Sequence, residues 1–360
     1  MGVMPTVDIQ REPLEVAGLK DVLIKAVACG GAFTSALSIY GDVYVWGDLR
    51  SPIPHLVSGL RGKNVLKISS SAMHTFAVTL EGEVYAWGEI PPKPGQNAKP
   101  VLTSPCSLKG DVYSKKIVDV ACGALHALLL DSEGKVYAYG ENTSGQLGVV
   151  KVSLKEEIKY PQLISVLEDQ VITTIACGGN HSIVMTNTNE IWVWGSNKYG
   201  QLGLDMKYKM VQVPLKMKWD FEKPVFIACG DYHTLIATES EVYSFGKGSN
   251  GQLGTGSQED TNAPQKIPKF SGKKITMLRA GGGFGCSHSM ACTEKGLYGW
   301  GSGGHGQLGL QLDGNCNVPK RIKYFEGARV LDVACGWLHT VVLVGSIPPL
   351  MVFEREDFEV

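Results

Sequence analysis

A single repeated pattern is the feature of this sequence that most limits how the chain can fold. The pattern reads Ala, Cys, Gly, two variable residues, His and then Ser or Thr, and it recurs with a period near fifty residues. A period of this size is typical of solenoids, propellers and other repeat arrays. Its histidine position falls at Phe33, His74, His126, His181, His233, His288 and His339. Because each repeat buries its apolar surface only against its neighbours, all 360 residues can belong to one architectural unit.

A second signature follows the first and indicates β-strands. It alternates Val, Ile, Tyr or Trp with small or polar residues, and alternation with a period of two is typical of strands that have one buried face. The signature ends in an aromatic residue followed by Gly, with the aromatic residue at Trp46, Trp87, Tyr139, Trp194, Phe245 and Trp300. Four copies continue into Gly-Gln-Leu-Gly and a short proline-containing segment, so each repeat contains about four strands.

Four strands in each of seven repeats predict an all-β fold, a seven-bladed β-propeller of four-stranded antiparallel blades. The segment that begins at Pro13 is similar to the fourth strand of a repeat, and the last repeat lacks such a strand. We therefore expect an N-terminal strand to complete the last blade. The predicted boundaries are an N-terminal extension over 1–12, the propeller over 13–353 and an acidic C-terminal tail over 354–360.

The three motifs A-C-G-x-x-H, V-Y-x-W-G and G-Q-L-G resemble the regulator of chromosome condensation repeat, from about Pro13 to Phe353. The resemblance implies a seven-bladed propeller that binds other proteins. In the founding members of this family it also implies guanine-nucleotide exchange on a Ran-type GTPase. WD repeats have a shorter period and different signatures, and kelch repeats lack the Cys-Gly-x-x-His turn, so neither fits this sequence.

Residues that recur in every repeat are predicted to serve packing, because packing is the need that all repeats share. The aromatic residue before Gly should anchor adjacent sheets, and each recurring histidine should form a hydrogen bond within its own blade. A metal-lined channel or a row of catalytic bases is disfavoured, because Phe33 replaces one histidine and no carboxylate or nucleophile recurs beside the others. The sequence therefore predicts no catalytic residue, no metal site and no cofactor.

Composition narrows the choice of partner and compartment. The 34 Lys and Arg residues balance 35 Asp and Glu residues, so no uniform field favours direct binding of nucleic acid. No apolar run approaches the ~18 residues of a transmembrane helix, and the N-terminus lacks the apolar core of a signal peptide. Five of the nine cysteines recur at one position of the repeat, and we expect these five to be reduced core residues; they are Cys29, Cys122, Cys177, Cys229 and Cys335. We expect a cytoplasmic protein, with the nucleus as a further location. The oligomeric state is left open.

Candidate binding residues are sought where the repeats differ, because loops on a rigid scaffold carry most binding residues. The variable residues before each histidine supply most candidates, and a longer sixth turn and the insertion over 149–159 supply the rest. The candidates for partner binding are Asn180, Asp231, Tyr232, Trp337, Leu338, Phe284, Lys155 and Glu156. The alternative is that these residues only complete tight turns. A second irregular segment, 89–116, is another candidate loop.

The sequence favours a protein–protein interaction scaffold or adaptor, whose partner is a protein. The alternative is a guanine-nucleotide exchange factor for a small GTPase, Ran-like or other, acting without covalent catalysis. The resemblance implies acidic residues at the variable positions, and only Asp231 supplies one. Perception of UV-B light, as in a plant photoreceptor of this fold, would need clustered tryptophans, and only Trp337 approaches the expected turn.

Two patterns at the ends of the chain leave further questions open. Gly2 with Thr6 fits a minimal myristoylation pattern, but no basic cluster supplies a second membrane signal. The terminal residues Phe358 to Val360 could add a strand to a PDZ groove, or they are an ordinary acidic tail.

Overall fold

The repeats form antiparallel sheets around one axis, and six of these sheets have four strands each. The computed structural model describes residues 9–47, 51–88, 102–150, 152–154 and 157–345. Within each four-stranded sheet, here called a blade, every strand pairs with the next one along the chain. Successive connections therefore alternate between the two ends of the ring.

The strands of the blades follow the two sequence signatures. The first three blades contain β1 (Ile24–Cys29), β2 (Phe33–Ser38), β3 (Val43–Gly47), β4 (Ser51–Leu56), β5 (Val65–Ser70), β6 (His74–Thr79), β7 (Val84–Gly88), β8 (Leu102–Ser107), β9 (Ile117–Cys122), β10 (His126–Asp131), β11 (Val136–Glu141) and β12 (Glu157–Leu163). The next three contain β13 (Ile172–Cys177), β14 (His181–Thr186), β15 (Ile191–Ser196), β16 (Met210–Lys216), β17 (Phe226–Cys229), β18 (His233–Ala237), β19 (Val242–Gly246), β20 (Thr261–Lys266), β21 (Ile275–Gly283), β22 (Cys286–Thr293), β23 (Gly296–Gly301) and β24 (Cys316–Arg321). Short 3-10 helices follow several fourth strands, at Ser58–Leu60, Ser165–Leu167, Pro268–Phe270 and Lys323–Phe325.

The prediction of seven four-stranded blades closed by an N-terminal strand is wrong. Over the residues that the structure describes, there are six such blades, and the last repeat forms a two-stranded sheet of β25 (Val330–Cys335) and β26 (Thr340–Val344). Residues 9–23 form no strand. The physical reason is that a fourth strand needs a third strand as its hydrogen-bonding partner, and the described part of the last repeat ends with its second strand.

The segment before Pro13 lies beside the sixth blade, where it makes local contacts. Arg11 forms an ion pair with Asp313 at 2.7 Å. Gly306 lies against the backbone of Gln10, whereas the same glycine in the three preceding blades lies against the fourth strand of the next blade. The segment thus occupies the place of a fourth strand without forming a strand ladder.

The first and last sheets close the ring through their inner strands. Asp332 Oδ2 accepts a hydrogen bond from Val27 N at 3.1 Å, and Asp332 Oδ1 forms an ion pair with Arg279 Nη2 of the sixth blade at 3.0 Å. Cys29 Sγ also donates to the carbonyl oxygen of Ala334 at 3.4 Å. A carboxylate whose side chain is only 14% exposed therefore joins three consecutive sheets.

The prediction that the recurring aromatic residue anchors adjacent sheets is confirmed. Trp194 of the fourth blade is fully buried and packs in one cluster with Leu128 and Val136 of the third blade. Its Nε1–H donates to the carbonyl oxygen of Gln146, also in the third blade, at 2.8 Å. Trp300 forms the same bond to the carbonyl oxygen of Gln252 at 2.8 Å, so these two residues contribute both apolar burial and a hydrogen bond between blades, whereas Phe245 contributes burial alone.

Replacing Asp332 by Ala should lower the free energy of unfolding by about 2 kcal/mol, because it removes a hydrogen bond and leaves Arg279 without its carboxylate. Urea denaturation followed by fluorescence measures the change. Asp313→Ala is the matched control: it also removes an aspartate paired with an arginine, but that side chain is 83% exposed, and its loss should cost less than about 1 kcal/mol. Equal losses in the two variants would contradict the role assigned to Asp332.

Candidate functional site

The Cys-Gly-x-x-His turns meet at one end of the ring, which we call the axial face. Because the strands alternate in direction, the Gly-Gln-Leu-Gly loops lie at the same end. The turns surround a cavity of about 80 Å³, whose lining comes from all seven repeats. This volume admits a few water molecules but is well below the several hundred Å³ of typical cofactor sites.

The recurring histidines link neighbouring sheets, so the expectation of hydrogen bonds within one blade is wrong. His126 Nε2 lies 2.9 Å from Ser182 Oγ of the next blade, and that hydroxyl donates to the carbonyl oxygen of Gln146 at 2.8 Å. Both bonds recur at His181 with Thr234 and at His233 with Ser289, and His288 Nε2 likewise lies 2.8 Å from Thr340 Oγ1. His339 continues it across the ring closure, where its Nε2 lies 3.1 Å from Thr34 Oγ1. The reason is that the residue after the histidine position faces the preceding blade, and it is a serine or threonine in these blades, whereas Ala127 after His126 has no hydroxyl.

The hydroxyl of Ser182 fixes which ring nitrogen of His126 carries hydrogen. Since that hydroxyl uses its only proton on Gln146, it accepts a hydrogen bond from His126 Nε2–H. The other ring nitrogen, Nδ1, is buried without a partner among the described residues. Burial accordingly lowers the pKa of His126 to about 3, and it does the same for His181, His233 and His288. These imidazoles are neutral at physiological pH and are structural, not catalytic.

The cysteines of the turns are free thiols that face the cavity. Burial raises the pKa of Cys122, Cys229 and Cys335 to about 12, so the reactive thiolate form is negligible at neutral pH. Among the described residues, no three His, Cys, Asp or Glu side chains are grouped to hold a metal ion. No helix in the described ranges is long and apolar enough to cross a membrane.

Backbone hydrogen bonds link adjacent turns around much of the axial face. The N–H of one turn donates to a carbonyl of the next at 3.0 to 3.4 Å, as in the bond from Gly31 to Ala72 and that from Gly179 to Asp231. Between the fifth and seventh turns no such bond is found in the described structure. There the sixth repeat instead extends β21 and β22 into a longer hairpin.

The tip of this hairpin exposes a phenylalanine. Phe284 and Gly285 form its two-residue turn, with φ of 51° and 80°, and Gly283 pairs with Cys286 on either side. The Phe284 side chain is 79% exposed. Its ring meets the half-buried Trp337 edge to face at a centroid distance of 4.3 Å. The structure thus brings two of the predicted residues into direct contact.

The other predicted residues on this face have different surroundings. Asp231 lines the cavity and lies against Gly179; burial raises the pKa of this carboxyl to about 6, and the Lys247 ammonium opposes that rise. Asn180 Oδ1 accepts a hydrogen bond from the side chain of Gln146 at 3.5 Å. Leu338 is half-buried. The amide of Asn180 therefore helps to join two blades, whereas Asp231 makes no side-chain hydrogen bond in the described structure.

Tyr232 belongs to a group that sequence reasoning missed. Its ring lies 5.2 Å from that of Tyr199, and Lys247 Nζ lies within 5.3 Å of both ring centroids. Lys198 Nζ lies 5.3 Å from the ring of Tyr199. We call these four residues the lysine–tyrosine cluster. The signal was present in the residues before Gly-Gln-Leu-Gly, which vary among repeats as the Cys-Gly-x-x-His turns do.

Several predicted features fall partly or wholly outside the described residues. Lys155, Glu156, Gly2 and the terminal residues Phe358 to Val360 all lie outside them. Of the segment 89–116, residues 102–107 form β8, the regular fourth strand of the second blade. Of the insertion 149–159, the last residues belong to β12. Part of each irregular segment is therefore an ordinary fourth strand of a blade.

A family model described as the RCC1-like domain matches residues 49–342 of this chain. The chain belongs to the RCC1-like domain family. Ultraviolet-B receptor UVR8 of Arabidopsis thaliana is 37% identical over 63% of this chain and 51% of that protein. Human E3 ubiquitin-protein ligase HERC2 is 34% identical over 65% of this chain and 5% of HERC2. This RCC1-like chain thus aligns with about half of the plant receptor and a small part of the ligase.

Solved structures show the same fold. Prp20p from Saccharomyces cerevisiae matches with a TM-score of 0.84 at 24% identity, over 97% of this chain and 89% of that chain. Human WBSCR16 matches with a TM-score of 0.78 at 25% identity, over 91% and 88% of the two chains. At these identities the likeness to Prp20p establishes the RCC1-like architecture and no shared activity.

The buried imidazoles predict that acid destabilises the fold. Because their folded-state pKa lies below the ordinary 6.5, the unfolded chain binds more protons between about pH 6.5 and 3, and stability falls as pH falls through that window. His126→Gln keeps an Nε2–H donor for Ser182 but removes one titrating group. The slope of unfolding free energy against pH should decrease by up to about 1.4 kcal/mol per pH unit, measured by urea denaturation at several pH values.

His305→Gln is the control for this measurement, because it makes the same substitution at a histidine that is exposed on a Gly-Gln-Leu-Gly loop and takes no part in the bonds between blades. Asp231 acts in the opposite sense: its raised pKa adds stability that is lost as the pH rises through about 6. Because it is one carboxyl and the buried imidazoles are several, the imidazoles should dominate the pH dependence of stability. An unaltered slope in His126→Gln would show that this imidazole is not held neutral by burial.

Proposed function

We propose that this chain is a protein-binding module that holds a partner on its axial face and does no covalent chemistry. The observation that carries the proposal is Phe284, a large apolar side chain that is 79% exposed at the tip of the sixth hairpin. Exposed aromatic residues that stand on a rigid support are typical of the residues that dominate binding energy at protein interfaces. The proposal concerns the propeller alone.

The backbone of Phe284 supports a role other than stability. A two-residue hairpin turn with both φ values positive favours Asn-Gly or Gly-Gly, and a bulky residue at the first position costs roughly 1–2 kcal/mol. Because most of the Phe284 ring is in solvent, burial offsets little of this cost. A residue that strains the turn and remains exposed fits a binding role better than a packing role.

Trp337 provides the rigid support for this side chain. Gly31 and Gly283 lie close to the indole, so a methyl group on either would collide with it. The indole therefore sits between the turns of the first and sixth blades, with Phe284 against its face. A partner that covers Phe284 would bury both rings on a surface that is already ordered, which limits the entropy lost on binding.

Relatives are consistent with a module that binds proteins. The structure of Prp20p was described together with its binding properties to Gsp1p and histones. HERC2 is an E3 ubiquitin-protein ligase of which this chain matches a small part. These properties belong to those proteins, and for the present chain they support only the choice of a protein as partner.

Guanine-nucleotide exchange is the second candidate function, and Asp231 is the observation that favours it. It is the one acidic residue at the variable positions of the axial turns, and its carboxylate lines the cavity. Release of labelled nucleotide from a panel of purified small GTPases tests this candidate. Acceleration that is lost in Asp231→Asn would assign exchange, and no acceleration with any GTPase would remove it.

Perception of UV-B light is not proposed, despite the 37% identity to UVR8. Trp46, Trp194 and Trp300 are buried anchors of three separate blades. In the described structure no two tryptophan rings are in contact, and the aromatic neighbour of Trp337 is Phe284. The tryptophans therefore show no cluster of the kind that such a photoreceptor would need.

Phe284→Asn tests the proposed binding surface. The change creates an Asn-Gly turn, so the free energy of unfolding should stay within about 1 kcal/mol of the original while partner binding falls. Affinity capture from cells, with captured proteins quantified by mass spectrometry, should show a defined set of proteins lost in this variant. Thermal unfolding of the same preparation confirms that the fold is intact.

Tyr113→Asn is the matched control, because Tyr113 is 76% exposed and precedes β9 at the end of the ring opposite the axial face. It removes an equally exposed aromatic residue and should retain the captured proteins. If Phe284→Asn retained every protein that the original chain captures, the proposed surface would be wrong.

A further inference from the structure

The lysine–tyrosine cluster gives the axial face a second binding feature, distinct from Phe284. The Lys247 ammonium lies 5.1 Å from the ring centroid of Tyr199 and 5.3 Å from that of Tyr232. Lys198 Nζ lies 5.3 Å from the ring centroid of Tyr199. Cation–π contacts hold both ammonium groups at fixed positions while leaving N–H donors free for an anion. Neither lysine forms an ion pair within the described structure.

Further lysines adjoin the cluster on the same loop. Asn197 donates its side-chain amide to the carbonyl of Tyr208 at 2.7 Å, and its backbone N–H donates to the carbonyl of Lys209 at 2.8 Å. These bonds hold the far end of the loop beside Lys198. Lys207 in this loop is neutralised by Asp205 at 3.5 Å, whereas the Lys209 side chain is exposed. Positive charge therefore exceeds negative charge here.

Lys247 of the fifth blade occupies a position at which the fourth and sixth blades have serine. In the fourth blade Ser196 Oγ accepts a hydrogen bond from Gln201 Nε2 at 3.3 Å, and the sixth blade has the same bond between Ser302 and its Gly-Gln-Leu-Gly glutamine. In the fifth blade the corresponding Gln252 Nε2 is buried without a partner among the described residues. With lysine at this position, the fifth blade therefore lacks the serine–glutamine hydrogen bond that the fourth and sixth blades form.

From this geometry we infer that the cluster binds an acidic segment of a protein partner, with glutamate or aspartate carboxylates on Lys247 and Lys198. The inference rests on the proposed function, because it names the chemistry of the partner on the same face. Asp231 is the nearest acid, and its charge offsets part of that of Lys247, but Lys198 and Lys209 remain. The tyrosine rings add apolar area against which the stems of acidic side chains can pack.

Nucleic acid is the other class of polyanion, and two observations disfavour it. The cluster contains lysine but no arginine, and arginine is the residue whose planar fork suits phosphate recognition. The whole chain carries a net charge of −1, so it lacks the broad positive field that concentrates nucleic acid. A compact pair of lysines beside tyrosines suits a short acidic peptide.

A fluorescein-labelled peptide of eight glutamates tests the inference by fluorescence polarisation at low ionic strength, with an octaglutamine peptide as the neutral comparison. Lys247→Ser introduces the serine that the fourth and sixth blades have at this position. Because this serine can bond to the glutamine side chain, the midpoint of thermal unfolding should stay the same or rise. Binding of the acidic peptide should weaken about two- to fivefold, the range expected for one exposed ion pair, and Lys198→Ser should act similarly. Salt should weaken the remaining binding.

Lys274→Ser is the matched control, because it removes the same charge at the end of the ring opposite the axial face, just before β21. It should leave the affinity unchanged, and an equal loss there would overturn the inference by showing non-specific attraction. Tighter binding of an eight-residue oligothymidylate with the same dependence on Lys247 would overturn it in favour of nucleic acid. Phe284→Asn should leave acidic-peptide binding intact, which separates failure of this inference from failure of the proposed function.

Discussion

The interaction on which the rest of the structure depends is the relay between neighbouring sheets. A histidine of one blade donates to a hydroxyl of the next, and that hydroxyl donates to a glutamine carbonyl back on the first blade, as in His126, Ser182 and Gln146. The side chain of Ser182 thereby forms two hydrogen bonds to the preceding blade. The relay engages the Nε2–H of each of these imidazoles, and burial, which lowers their pKa, keeps them neutral, so they are held in a structural role.

Since the repeated residues are engaged in holding the ring together, the residues that break the repeat become informative. Phe284 strains a hairpin turn and stays exposed, and Lys247 replaces a serine and leaves Gln252 without its usual partner. The first adds backbone strain and the second removes a hydrogen bond, and neither improves the packing around it. Such departures are expected at functional sites, where a local rule is broken for the benefit of binding.

How much the sequence predicts follows from whether a residue's partner lies within its own repeat. The Cys-Gly-x-x-His turns repeat seven times and the aromatic anchors six times, so their positions could be predicted. The partner of His126 lies in another blade. Nothing in a single repeat shows that the hydroxyl of Ser182, which follows the next histidine, faces the preceding blade. The lysine–tyrosine cluster joins residues 199 and 232 from adjacent blades, which only the ring brings together.

The variable residues of the axial face are also constrained by their neighbours, which limits how binding surfaces can change on this scaffold. Asp231 fits because the adjacent turn has Gly179, and Trp337 fits because Gly31 and Gly283 flank it. A larger residue at any of these glycines would collide with the side chain beside it. A new large residue at one turn therefore requires a small residue at the next, so binding specificity on this face changes in pairs of adjacent repeats. The pairing of Asp231 with Gly179 and of Trp337 with its glycines shows two such solutions, separated by the hairpin that carries Phe284.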